Sequence, residues 1–131
     1  AFNIQQVEEN ASYILESMAK EIRVSRVSGP DTNCPSLPAS TLSITHPVNG
    51  NIVYSLQGVS VQRTVGAIAT TISSNTVEFT RLQFCISGTA IGDGKQPRVT
   101  ILASMRSKST LQRSSMDIQT AVSQRFLTDQ Y

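Results

Sequence analysis

The apolar residues of the first 22 positions recur at helical spacing. Ile4, Val7, Ala11, Ile14, Met18 and Ile22 follow one another at steps of three or four. That spacing predicts one packing face on a helix of about six turns. Leu15 widens the stripe, while Glu8, Glu9, Ser12, Glu16 and Lys20 lie off it. Glu16 and Lys20 stand four residues apart in the order that favours an ion pair. Arg23 and Arg26 follow the last turn, where cations suit the helix dipole, and Gly29-Pro30 is expected to end the element. At the start, Asn3 with Gln6 makes a weak capping box, but Phe2 and Ile4 carry apolar character to the first positions. Two readings stay open there: an ordinary helix capped by Asn3, or the later part of a longer one.

The period then disappears and returns as two. Asp31 to Ser40, with Pro30 just before it and Pro35 and Pro38 inside it, reads as a connecting loop carrying Cys34. Thr41 to Thr45 and Asn51 to Gln57 flank His-Pro-Val-Asn-Gly, where Asn49-Gly50 marks a turn. Gly58 separates that hairpin from a strand over Val59 to Thr64. A weaker strand is predicted over Ala67 to Ile72, followed by a turn at Ser73-Ser74-Asn75. The longest strand, Thr76 to Ser87, has apolar residues on both faces near its end, as in a strand covered on both sides. Ile91 to Lys95 contains the Asp93-Gly94 turn. Pro97 to Met105, a polar loop over Arg106 to Ser115, and Met116 to Arg125 complete the meander.

One helix followed by six or seven short strands implies an α+β fold: a long N-terminal amphipathic helix packed on an antiparallel β-sheet. The chain of 131 residues divides into helix (1–28), connector (29–40) and β region (41–131) of one domain.

Composition narrows the class. Charged residues make up 15% of the chain, below the usual quarter, and 18 Ser and 13 Thr fill the shortfall. Val, Ile and Leu spread throughout and a net charge of only +2 argue against intrinsic disorder. Cys34 and Cys85 stand in no CxxC pair, so they are expected to form one disulfide, the alternative being two buried thiols. A disulfide belongs to an oxidising compartment, and with the many hydroxyls it suggests an extracytoplasmic protein. The sequence has no apolar run of about 18 residues and no signal-peptide pattern at Ala1 to Glu9.

Candidate chemistry is sparse. His46 is the only histidine, so with two cysteines it makes no zinc set, and 18 serines make a Ser-His-Asp match uninformative. Glu78, Asp93, Asp117 and Asp129 are scattered, with no spacing that pairs an acid with a base or builds a calcium loop. Gly92 to Lys95 is a hairpin turn rather than a phosphate cradle. Asn10-Ala11-Ser12 matches a glycosylation sequon in mid-helix. No catalytic residue, metal site, cofactor or small-molecule substrate is expected, and the chain does not read as an enzyme. Charge is unevenly divided, with net −2 over residues 1–33 and +4 over 34–131. Arg106, Lys108 and Arg113 form a possible binding loop for phosphates, although no aromatic residue stands near to stack on bases.

Taken in order, several segments resemble one family. The helix Val-Glu-Glu-Asn-Ala through Lys20-Glu21-Ile22-Arg23 is similar to the segment following the membrane-spanning part of type IV pilin-like proteins, especially minor pilins and pseudopilins. The matching residues are Glu9, Asn10, Ala11, Leu15, Met18, Lys20, Glu21, Ile22 and Arg23. Asn51 to Thr64 resembles the family's Tyr-bearing hairpin. Asn75 to Gly88 and Gln96 to Met105 resemble later strands, and Asp117 to Arg125 the last one. The resemblance implies a pilin-like domain and a structural subunit of a type IV pilus or type II secretion filament. Its partners would be other pilin or pseudopilin subunits, with the inner membrane reached through an N-terminal segment before assembly. An alternative from another class is a surface adhesin or DNA-uptake subunit using the loop at Arg106, Lys108 and Arg113.

Overall fold

The structure is a computed structural model that describes residues 2–27, 31–34, 36–74, 76–89, 97–108 and 115–124, with helix side chains from Val7 onward. One helix, α1 (Phe2–Val24), precedes eight strands: β1 (Arg26–Val27), β2 (Leu42–His46), β3 (Gly50–Gln57), β4 (Ser60–Val65), β5 (Ile68–Thr71), β6 (Val77–Ser87), β7 (Arg98–Ser107) and β8 (Ser115–Ser123). All pairings are antiparallel, and the strands form two sheets, β1-β2-β3-β4-β5 and β6-β7-β8.

This architecture corrects the α+β expectation of a long helix laid on one sheet. Strands take up more than half of the described residues, and they are divided between two sheets. The helix, described with its side chains over 7–24, is a minor element. The division arises between β5 and β6. Ile72 N–H still donates to Val61 O at 2.9 Å, and Ser73 Oγ accepts from Val61 N–H at 3.0 Å. Ser74 Oγ then accepts from Thr76 N–H at 3.2 Å, a local turn that leads the chain into β6 without pairing it to β5. One apolar cluster nonetheless draws on α1 and both sheets. It includes Leu42, Ile44, Ile52, Tyr54 and Val61 from the five-stranded sheet, and Phe79, Phe84, Val99, Ile101 and Met105 from the other.

The turns follow their glycines. Gly58 (φ 65°) and Gly66 (φ 60°) are the first central residues of the two-residue loops joining β3 to β4 and β4 to β5. A left-handed first position followed by an ordinary second is a loop whose twist matches the strands. Between β2 and β3 the ladder closes at His46 and Gly50, with Gly50 at φ 78°.

β6 departs from simple alternation. Val77 and Phe79 are buried, and so are Leu82, Phe84 and Ile86, which an unbroken strand would place on the opposite face. A bulge between Phe79 and Arg81 inserts Thr80 and reverses the phase. The mixed pattern therefore reflects an extra residue rather than a strand covered on both faces.

The helix stops earlier than Gly29-Pro30, which lie outside the described residues. Ser25 takes up two carbonyls of the last turn, its N–H donating to Ile22 O at 3.1 Å and its Oγ to Glu21 O at 2.6 Å. Arg26 and Val27 then pair with Thr45 and Ile44, a two-residue strand too short to show a period. The Ile91 to Lys95 segment with its Asp93-Gly94 turn also lies outside the described residues.

The connector lies along the outer edge of β6. Ala39 and Phe84 exchange two backbone hydrogen bonds of 2.8 Å, and Thr32 N–H donates to Ile86 O at 2.9 Å. Asp31 accepts from Gly88 N–H at 3.1 Å and from Thr89 N–H at 3.0 Å. Cys34 and Cys85 form a disulfide that closes a separation of 51 residues. Loss of chain entropy over such a loop predicts that reduction lowers stability by about 4 kcal/mol. Urea unfolding with and without reductant measures it, and equal midpoints would mean that the bond adds nothing.

Candidate functional site

The helix presents two faces of opposite character. Val7, Ala11, Ile14, Met18 and Ile22 are buried, together with Leu15 and Ala19. They meet β7 and β8 and also reach β2 and β6. The side chain of Ile4 lies outside the described residues. On the other side Glu8, Glu9, Ser12, Tyr13, Glu16 and Lys20 are exposed. Tyr13 has 71% of its surface in water, a large aromatic group standing among acids.

A cleft of about 490 Å³ opens between this helix and the five-stranded sheet, lined by Tyr13, Ile14, Ser17, Lys20, Glu21, Tyr54, Arg63 and Ile72. Its polar centre is the Glu21 carboxylate. Arg63 donates to both of its oxygens, through Nε to Oε1 at 2.9 Å and through an NH2 group to Oε2 at 2.5 Å. The Tyr54 hydroxyl donates to Oε1 as well. Register sets this up, because Tyr54 of β3 and Arg63 of β4 are direct cross-strand partners on the face that looks toward the helix. The Arg63 pKa is raised above its ordinary value, chiefly by the hydrogen bond to Glu21 and further by the carboxylate's charge, against an opposing effect of burial. A two-pronged guanidinium–carboxylate pair of this kind fixes orientation as well as contributing energy. Its three groups satisfy one another, so the arrangement is a clamp between helix and sheet rather than an acid–base device.

The sequence reading missed this cluster. In the sequence Glu21 belongs to one segment of the family resemblance and Tyr54 and Arg63 to another, the Tyr-bearing hairpin, and nothing links the two. The available signal was Glu21 itself. It lies seven residues after Ile14 and three after Met18, on the margin of the apolar stripe, where a carboxylate must find a partner.

Two of the three residues of the possible binding loop are described. Arg106 lies in β7, and its Nε donates to Glu78 Oε1 on the neighbouring strand at 2.9 Å. Lys108 is exposed, with its backbone N–H bound to Thr76 O at 3.0 Å. Arg113 lies outside the described residues. Arg106 is therefore held in an ion pair with Glu78 while its side chain stays 37% exposed.

The remaining candidates have local structural roles. His46 Nδ1 accepts from Val48 N–H at 3.1 Å and from Asn49 N–H at 3.2 Å, which orders the β2–β3 turn. Asn10 of the sequon donates through Nδ2 to Thr76 Oγ1 at 3.2 Å. Among the described residues no cluster of three or more His, Cys, Asp or Glu could hold a metal ion, and no helix is long and apolar enough to cross a membrane. Comparison with family models, curated proteins and solved structures gave no match to this chain.

The clamp is open to a mutant cycle. Glu21→Gln and Arg63→Met are each expected to lower stability by about 1–3 kcal/mol, because each leaves half-buried polar partners unsatisfied. The double variant should lose less than the sum of the two, with a coupling of about 1 kcal/mol. Additive losses in thermal or urea unfolding would mean that the two side chains act independently.

Proposed function

We propose that this chain is the head of a filament subunit of the type IV pilin class, a minor pilin or pseudopilin of a pilus or type II secretion filament. The observation that carries the reading is the two-sided helix. One face is committed to the head's own core, and the other exposes Tyr13 among Glu8, Glu9 and Glu16 along the same turns. A helix used in this way can hold its domain and still meet neighbouring subunits. The ordered resemblance of the helix, the Tyr-bearing hairpin and the later strands supports the same assignment.

Other features support it too. The disulfide suits assembly outside the cytoplasm, where thiols are oxidised, and the polar, weakly charged exterior suits side-by-side packing. Partners in this reading are other pilin or pseudopilin subunits, and the subunit is held at the inner membrane before assembly. The work of the protein is structural, without a catalytic step or a cofactor.

Cell fractionation with an antibody against the head provides the test. The protein is expected in the inner-membrane fraction and in sheared surface filaments or periplasmic pseudopili, with gold label on the filaments. Recovery from the cytosol alone, or filaments that never carry label, would refute the proposal.

A further inference from the structure

The sheet edges are treated unequally. At β1 the Val27 N–H is taken by Gln124 Oε1 at 3.1 Å. At β6 the connector supplies Ala39 and Thr32, and Phe79 N–H donates to Val59 O at 2.9 Å. β8 carries the exposed charge of Asp117. These are ordinary means of stopping a strand edge from recruiting another chain.

Among the described residues β5 has none of them. Ile68, Ala69, Thr70 and Thr71 are all exposed, Ile68 to 71%. From Thr64 to Val77 the sequence contains neither a charged residue nor a proline. The Ile72–Val61 hydrogen bond sets the ladder phase. Ile68 and Thr70 therefore direct their backbone groups toward β4, and Ala69 and Thr71 direct theirs away from the sheet. Ile68 shares a face with its pairing partner Val65 and with Ile52 beyond it; Ile52 is buried and Val65 packs against the core, so the apolar side of the sheet ends in water at Ile68.

We infer that the β5 edge pairs with the β5 edge of a second copy of this chain, antiparallel about a two-fold axis. The register with Ala69 opposite Ala69 joins the outward-pointing backbone groups. It also sets Ile68 of each copy against Thr70 of the other, on the same face of a continuous sheet. Two-fold pairing sets a segment against itself, so any charge in it would be repelled. The 64–77 run contains none, and a net charge of +2 per copy opposes approach only weakly. A four-residue edge strand offers only a short ladder, and small contacts make weak complexes, so the dimer is weak in solution and is favoured where copies are crowded. This contact does not depend on the pilin reading, since the helix takes no part in it.

Sedimentation velocity and amide chemical shifts, followed from micromolar to millimolar protein, test the inference. The expected result is a monomer–dimer equilibrium with shift changes centred on residues 67–72. Ala69→Pro removes an outward N–H without touching the β4 ladder, and Ile68→Lys places like charges near the axis. Both should abolish the dimer, whereas Ala121→Lys on β8 should leave it intact. If Ala69→Pro fails to fold, Ile68→Lys decides, because that side chain is already in water. A chain that remains monomeric at millimolar concentration, or dimers that survive in the folded variants, would overturn the inference.

Discussion

Ala11, Met18 and Ile22 of the helix leave no surface in water, and Val7, Ile14 and Leu15 leave almost none. Each fully buried Ile, Leu or Met side chain contributes about 1.5–3 kcal/mol relative to exposure. Neither sheet alone supplies the surface that covers this stripe. β7, β8 and β6 take one part of it and β2 another. A chain that divides its strands into two sheets thus holds one core, because the same helix face serves both and β6 also packs directly on β3 and β4. The Glu21–Arg63–Tyr54 clamp lies at the border of that contact and fixes the angle at which the five-stranded sheet meets the helix.

The second constraint concerns backbone groups rather than apolar surface. β6 is the longest strand, and its outer edge would be open without the connector that follows β1. Ala39, Thr32 and Asp31 occupy that edge, and the Cys34–Cys85 disulfide secures the segment to the strand it covers. A proline-containing loop thereby performs the work of an edge strand.

What the sequence made legible was what obeys a local period. Val7 to Ile22 showed its buried face, and the hairpins at Gly58 and Asn49-Gly50 were visible because tight turns need particular residues. The strand over Val77 to Ser87 was located, but its facing was obscured by Thr80, since one inserted residue changes the phase without altering composition. The split into two sheets depends on a short hydroxyl-rich turn at Ser73 to Thr76, which reads like any other hairpin. β1 exists only through its pairing with β2. The clamp was hidden for a related reason, because Glu21, Tyr54 and Arg63 lie 33 and 42 residues apart and meet only through the strand register. Arg106 stood out as one member of a basic loop, yet its partner Glu78 lay on another strand.

A molecule assembled around one shared helix face should open as a unit. Native-state hydrogen exchange of wild type and Met18→Ala measures this most directly. The account predicts that the slowest amides of β3 and β7 report the same opening free energy, and that Met18→Ala lowers both equally, by about 2–5 kcal/mol. Loss of protection in one sheet while the other keeps its wild-type value would contradict it, and would show two sheets stabilised separately.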